Sequence, residues 1–275
     1  MGCKQVRSVN LLDFQTHMKQ TAESAAEHAG KELLRLFKEG RISIRRKFDY
    51  PGSIVTNADK IAERIILSRL RKSGIRSTVV SEEAGEVDFG SKDVLWAVDP
   101  LDGTMNYAKR IPYFAVSIGC IIKGRPVAGV IYNPILDEMF TATAGCGAHL
   151  NGRRIHVSRT KSLRGASLVF EWWNHEPLIP DPLGLEKQLF RFTRRVRSPG
   201  SVAMNLCTVA LGRFDGLITV FQRSPVYEIA AGCLIVEEAG GRVTNSGGRA
   251  WSTFRGSVIA ANETIHSSIL RLISR

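Results

Sequence analysis

Apolar residues at Leu12, Ala22, Ala25, Ala29, Leu33 and Leu36 recur mostly at three- and four-residue steps, with Lys, Glu and His between them. That stripe predicts an amphipathic helix over residues 11–39 that ends near Gly40. A second stripe, Ile61, Ile65, Ile66 and Leu70, predicts a helix over 59–72 that stops at Ser73-Gly74. Between them Ile42 and Ile44 alternate with basic residues, a strand pattern over 41–47, and Asp49-Tyr50-Pro51-Gly52 reads as a turn. The period then shortens. Apolar runs at 78–80, 94–98, 115–122, 127–132 and 139–143 are separated by Lys123-Gly124, Asn133-Pro134, Gly145 and Asn151-Gly152, so neighbouring, often antiparallel strands are expected. From residue 183 onward, helical stretches near 185–194, 201–212, 226–239 and 262–274 alternate with strands at 215–220, 242–244 and 256–261. The Pro-rich piece at 177–182 reads as a loop between two halves of one domain, about 1–180 and about 181–275.

The chain has 275 residues, 44% apolar and 23% charged, which excludes disordered and low-complexity classes. Its five cysteines, Cys3, Cys120, Cys146, Cys207 and Cys233, form no Cys-x-x-Cys pair. Buried, reduced thiols in a cytoplasmic protein are expected, with neither a disulfide framework nor a zinc ribbon. No apolar run approaches 18 residues and no signal-peptide core is visible, so a membrane location is not expected.

Charge changes the picture more. The net charge is +12, yet between Glu82 and Asp102 seven acids face only Lys92. Within this window lies Trp96-Ala-Val-Asp99-Pro-Leu-Asp102-Gly-Thr104-Met-Asn-Tyr107. A buried strand runs into Asp99, and Pro100 is expected to end its ladder, leaving both carboxylates at a strand terminus. Asp99, Asp102 and the Leu101 carbonyl are hard oxygen donors suited to Mg²⁺. Gly103 and Thr104, if they open a helix, offer N–H groups to an anion beside it. An isolated Asp-x-x-Asp-Gly-Thr is also an ordinary capped turn. Against that stand two further segments, Glu82-Glu83 after an apolar run and Asp59 at a helix start, since acids gathered at the ends of buried elements repel one another unless a cation compensates.

The segments Val55-Thr-Asn-Ala-Asp59, Ser81-Glu-Glu83, the long motif above, and Glu228-Ile-Ala-Ala-Gly232 followed by Glu237-Glu-Ala-Gly-Gly241 together resemble the inositol monophosphatase family. That family comprises Mg²⁺-dependent, lithium-sensitive phosphatases and includes archaeal-type fructose-1,6-bisphosphatases. The resemblance implies an α/β, layered αβαβα sandwich, usually dimeric, acting on a small polyol or sugar phosphate such as inositol-1-phosphate or fructose-1,6-bisphosphate. It implies two or three Mg²⁺, with Mn²⁺ as a substitute: Glu82, Asp99 and the Leu101 carbonyl at the first ion, and Asp99, Asp102 and Glu228 at the second. Asp59, Thr104 and Glu82 become the catalytic candidates, with Asp59 and Thr104 orienting and deprotonating the attacking water. Gly103 and Thr104 would cradle the phosphate, and Gly200-Ser201 resembles the family's helix start that lines the substrate pocket, although a simple N-capped core helix fits those residues equally.

Two departures qualify the resemblance. The family's Trp-Asp before Ile-Ala-Ala-Gly is here Tyr227-Glu228; the added methylene implies a weaker or Mn²⁺-preferring second site, or a degraded one. Phe221 stands near where inositol-selective members place a substrate-binding acid, and a phenyl ring accepts no hydroxyl hydrogen bond. Arg191, Arg194, Arg195 and Arg197 could reach a second phosphate or simply form a solvated face. A catalytically weakened, nucleic-acid-associated or regulatory protein is the alternative, suggested by Arg45-Arg46-Lys47 and Arg194-Arg195. Aromatics do not alternate with the basic runs on this reading, so a nucleic-acid partner is not expected.

Overall fold

A computed structural model describes residues 11–40, 42–47, 53–171, 181–220, 225–251 and 256–274. The first apolar stripe forms α1 (Leu11–Glu39), which buries Met18, Ala22, Ala25, Ala29, Leu33 and Leu36. Next, β1 (Ile44–Arg46) and β2 (Ile54–Thr56) make a small antiparallel ribbon. Thr56 then caps α2 (Asn57–Lys72): its hydroxyl accepts from Ala58 N–H at 3.1 Å, and Asp59 reaches back to the Thr56 N–H at 2.8 Å. This reciprocal box fixes the helix start and the direction of the Asp59 carboxylate together.

The first large sheet is built from β3 (Thr78–Ser81), β4 (Gly85–Asp88) and β5 (Val94–Asp102), then, after the short α3 (Thr104–Ala108), β6 (Ala115–Ile122), β7 (Arg125–Asn133), β8 (Glu138–Thr143), β9 (Gly147–Leu150) and β10 (Arg153–Arg154). Its order is β10-β9-β8-β7-β6-β5-β3-β4, antiparallel throughout except for the β3–β5 pair. The second half adds β11 (Ser167–Glu171), α4 (Pro182–Phe192), β12 (Arg195–Arg197), α5 (Val202–Ala210), β13 (Gly216–Thr219), α6 (Val226–Glu238), β14 (Arg242–Thr244), β15 (Ile259–Ala261) and α7 (Glu263–Ile273). Its sheet runs β12-β11-β13-β15-β14, with β11 parallel to both of its neighbours.

Among the described residues, three large apolar cores and a small one, Ala97, Ile121, Val226 and Ala230 between the first sheet and α6, divide five layers. One joins α1 and α2 to the first sheet, a second seats α5 and α6 between the two sheets, and a third packs α4 and α7 on the far face of the second sheet. This is the expected αβαβα sandwich. It explains why α5 and α6 are buried along almost their whole length: each has a sheet on both sides.

The pattern of the sequence missed β2, β4, β9, β10, β11 and β12. β4 and β12 hold one apolar residue each, too little alternation to read as strands. β11, although it precedes residue 180, pairs only with strands of the second sheet. Of the cysteines, Cys120, Cys207 and Cys233 are buried as expected, whereas Cys146 is exposed at the β8–β9 turn. The Asp49–Gly52 turn, Cys3 and Phe221 lie outside the described residues, as does most of the 177–182 loop. Among those described, no helix is long and apolar enough to cross a membrane.

Candidate active site

Pro100 does not end β5. The strand continues to Asp102, but Asp99 faces Ser117 and Asp102 faces Ala115, so three steps on β5 match two on β6. That extra residue is a bulge, which re-aims successive side chains. One Asp99 oxygen accepts from the Leu101 N–H at 3.0 Å, while the Leu101 carbonyl accepts from the Thr104 hydroxyl at 3.0 Å. Asp102 turns toward α5, accepting the Ser201 hydroxyl and the N–H groups of Val202 (3.1 Å) and Ala203 (3.0 Å). Ser201 makes no capping bond of its own. It is therefore neither a self-capping residue nor a lining residue of the cleft: Asp102, about a hundred positions earlier, caps α5, where a carboxylate also meets the positive end of the helix.

Asp59 accepts the Thr56 hydroxyl at 2.5 Å and lies 3.1 Å from the Thr104 hydroxyl, whose one proton can turn to Asp59 or to the Leu101 carbonyl. The chain α2–Asp59–Thr104–Leu101 thus ties a helix start to the bulge. Gly103 precedes α3 with φ +88°, and a Cβ there would lie 3.0 Å from the Tyr113 carbonyl, so only glycine fits. The Glu82 N–H donates to the Val98 carbonyl at 3.2 Å, which holds the segment after β3 against β5. The Glu82 carboxylate receives the Lys47 ammonium at 2.8 Å, and the same ammonium binds Glu83. Lys47, the last residue of the Arg45-Arg46-Lys47 cluster, is thus spent inside the site. Glu228 sits in the first turn of α6, and no hydrogen bond from the described residues reaches its carboxylate.

These residues converge on a cavity of about 120 Å³ lined by Glu82, Asp99, Leu101, Asp102, Gly103, Thr104, Gly200 and Glu228. Asp59 lies beneath it, joined through Thr104. Two participants escaped the sequence. Glu171, at the end of β11, lines the same cavity and accepts from Ser198 (2.7 Å), Gly200 N–H (2.8 Å) and Asn205 (2.8 Å). It is an acid at the end of an apolar run, the very signal that singled out Glu82. Asn106, in α3, donates to the Tyr113 and Pro199 carbonyls at 2.9 and 2.8 Å and clamps the Gly200 loop onto that helix; it lies inside the long motif, but nothing in its spacing set it apart. Among the described residues no histidine lines the cavity.

Burial pushes Asp59 up to about 6, partly offset by its two bonds to Thr56. Asp102 rises to about 7 through burial, against the Ser201 and α5 donors that lower it. Asp99 and Glu228 are pushed well above the ordinary range by burial and then by the charges of Glu82 and Asp102. Glu83 rises to about 7 because burial outweighs Lys47. Burial alone would lower Lys47; the carboxylates of Glu82 and Glu83 overcome it and hold the ammonium above its usual range. The cleft is thus short of positive charge. Its donors are oxygen, and of the five carboxylates that line it, Glu82, Asp99, Asp102, Glu171 and Glu228, only Glu82 has an ammonium partner among the described residues, a set that fits a hard divalent cation. Among the described residues no three His, Cys, Asp or Glu side chains stand as a closed metal cluster; Lys47 holds Glu82 and the α5 terminus holds Asp102.

The sequence profile of the inositol monophosphatase family matches residues 15–275. The chain belongs to the inositol monophosphatase family. Within it, the Nus factor SuhB of Escherichia coli K12 is 37% identical over 254 residues, covering 92% of this chain and 94% of that protein. The chloroplastic phosphatase IMPL1 of Arabidopsis thaliana is 34% identical over 267 residues, covering 94% of this chain and 70% of that one. The structure of the inositol monophosphatase from Anabaena superimposes with a TM-score of 0.80 at 33% identity, covering 95% and 96% of the two chains. Family members so similar to this chain therefore carry both phosphatase and Nus-factor names. The expectation against nucleic acid finds no support in these relatives, and its premise fails on the chain itself: Phe190-Arg191-Phe192-Thr193-Arg194-Arg195 does alternate aromatic and basic residues, and both rings are exposed.

Proposed function

We propose that this chain is a Mg²⁺-dependent phosphomonoesterase acting on a small polyol or sugar phosphate. The observation that carries the reading is the Asp59–Thr104–Leu101 hydrogen-bonded chain set beside the uncompensated carboxylates of one cavity. Glu82, Asp99, Asp102, Glu228 and the Leu101 carbonyl are the oxygens that would hold divalent ions. When bound, such ions supply Lewis-acid charge at the phosphoryl oxygens and acidify water. Thr104, oriented by Asp59, positions the attacking water and passes its proton to the Asp59 carboxylate, whose raised affinity for protons suits a base working near neutrality. The first N–H groups of α3, at Gly103 and Thr104, have no acceptor within the helix and, on the wall of the same cavity, would be available to a phosphate. Glu171 and Asn106 keep the Gly200 loop closed on the same cavity.

The test is release of inorganic phosphate from inositol-1-phosphate and fructose-1,6-bisphosphate with Mg²⁺, with and without lithium. Metal-dependent release is expected, and Asp99→Asn should lower it by about a hundredfold or more, the scale of removing a preorganised electrostatic contact. No release from either ester with Mg²⁺ or Mn²⁺, from protein with native circular dichroism, overturns the reading. A regulatory role without turnover is the second reading, favoured by the Nus-factor name of bacterial relatives.

A further inference from the structure

The bases of this chain are as unevenly placed as its acids. No Asp or Glu occurs from Met139 to Phe170 or from Lys187 to Phe214, and the two stretches carry five and six Lys or Arg. The fold joins them: β12 is an edge strand beside β11, and the Arg194 N–H donates to the Ala166 carbonyl at 2.9 Å. Where they meet, a depression of about 350 Å³ is lined by Lys161, Arg164, Phe192, Ser268 and Arg271 among others, with no acid in its wall. Phe192 is 36% exposed and Phe190 61%, while α4 turns Leu185 and Leu189 inward. The Arg191 guanidinium lies 5.6 Å from the centre of the Phe192 ring.

Among the described residues, Lys161, Arg164, Arg191, Arg194, Arg195 and Arg271 make no ion pair. The contrast with the larger groove between α1 and α2, about 690 Å³, is informative. There Lys31 pairs with Glu27, and Arg35 with Glu32 and Glu39, so two of its cations are neutralised, and no Phe, Tyr or Trp among the described residues lines it. Arginines on an edge strand also discourage edge-to-edge pairing, but that role gives no reason for two exposed phenyl rings beside them. Unpaired cations track a phosphodiester backbone, and exposed aromatic faces stack unpaired bases. A single small phosphate ester would fill the depression and leave Phe190 and the β12 arginines unused.

We propose that the end of α4, β12 and the segment around 161–164 form a binding site for single-stranded nucleic acid, with Phe190 and Phe192 as stacking faces and the surrounding arginines and Lys161 on the phosphates. The site shares no residue with the cleft, so it stands or falls independently of the phosphatase reading.

Fluorescence anisotropy of the full chain with labelled single-stranded RNA and DNA of the same mixed sequence, across a salt series, tests this. Binding is expected to one or both, tighter than to the duplex, and unaffected by excess inositol-1-phosphate. Phe190→Ala with Phe192→Ala should weaken it about tenfold with the salt slope unchanged, and Phe192→Tyr should retain it. Arg194→Gln with Arg195→Gln should lower the slope of log affinity against log salt by about 0.7 per lost contact. All these side chains are exposed, and circular dichroism confirms folding. The proposal is overturned by absence of binding at low salt, by variants that bind like the parent, by duplex binding of equal strength, by displacement with the small ester, or by binding only to anionic phosphatidylserine vesicles.

Discussion

Glu228 offers the cleft a carboxylate on a side chain one methylene longer than aspartate, and nothing among the described residues ties it down. Because Mg²⁺ demands near-octahedral geometry, reach matters more than charge there. Glu228→Asp is expected to lower the Mg²⁺ concentration that gives half-maximal phosphate release; an increase would show a cleft shaped around the longer acid. His266 raises a different question. It is buried, its Nε2 lies 2.9 Å from the Thr244 hydroxyl, and its Nδ1 has no partner among the described residues. Burial, helped by Arg242, depresses it from 6.5 to about 4. The folded chain therefore holds His266 neutral where the unfolded chain protonates it, and stability falls as pH drops from about 6.5 toward 4. The linkage is worth about 2 kcal/mol between pH 7 and 5. Urea titrations should show that loss in the parent and a smaller one in His266→Asn, compared at the same two pH values. Equal losses would place the pH dependence elsewhere.

At the scale of elements, the decisive arrangement is the bulge in β5 set against the start of α5. Asp102 satisfies α5's first N–H groups from another strand, so loosening one loosens the other. The crossing of α5 and α6 is equally tight: a Cβ on Gly232 would lie 2.7 Å from the Leu206 Cβ. Gly232→Ala must push the two helices apart, and overpacking of this kind costs about 1–3 kcal/mol. A matching drop in the denaturant midpoint is expected, and an unchanged midpoint would mean that the α5–α6 layer yields freely. Helices with a single apolar stripe, α1 and α2, were legible from periodicity. Strands β4 and β12 were not, because their pairing is supplied by neighbours rather than by their own alternation.

For the molecule as a whole, the shared α5–α6 layer makes one body of the two sheets. Unfolding followed by fluorescence, with Trp96 in the first half and Trp251 in the second, and by circular dichroism should give one coincident transition. Two resolved transitions would mean that each sheet keeps its own core without the layer between. The charge distribution belongs to this scale too: carboxylates gathered in a cleft between the halves, unpaired arginines on the outer edge of the second sheet.

Periodicity in the sequence predicted the main helices and most strands, and acids at element ends singled out Glu82, Asp99 and Asp102; the layered fold, Glu228 and the Asp59–Thr104 pair were legible only through the resemblance of short, contiguous motifs to a known family. Tertiary structure decided what each acid touches. Lys47 on Glu82, Ser201 and the α5 terminus on Asp102, and Glu171 on the Gly200 loop are contacts across long stretches of chain. Such pairings arise from how layers pack, and no spacing along the chain records them. The exposed phenyl rings of α4 follow the same rule: the sequence showed two phenylalanines among arginines, and only the packing of Leu185 and Leu189 inward settled that the rings face water.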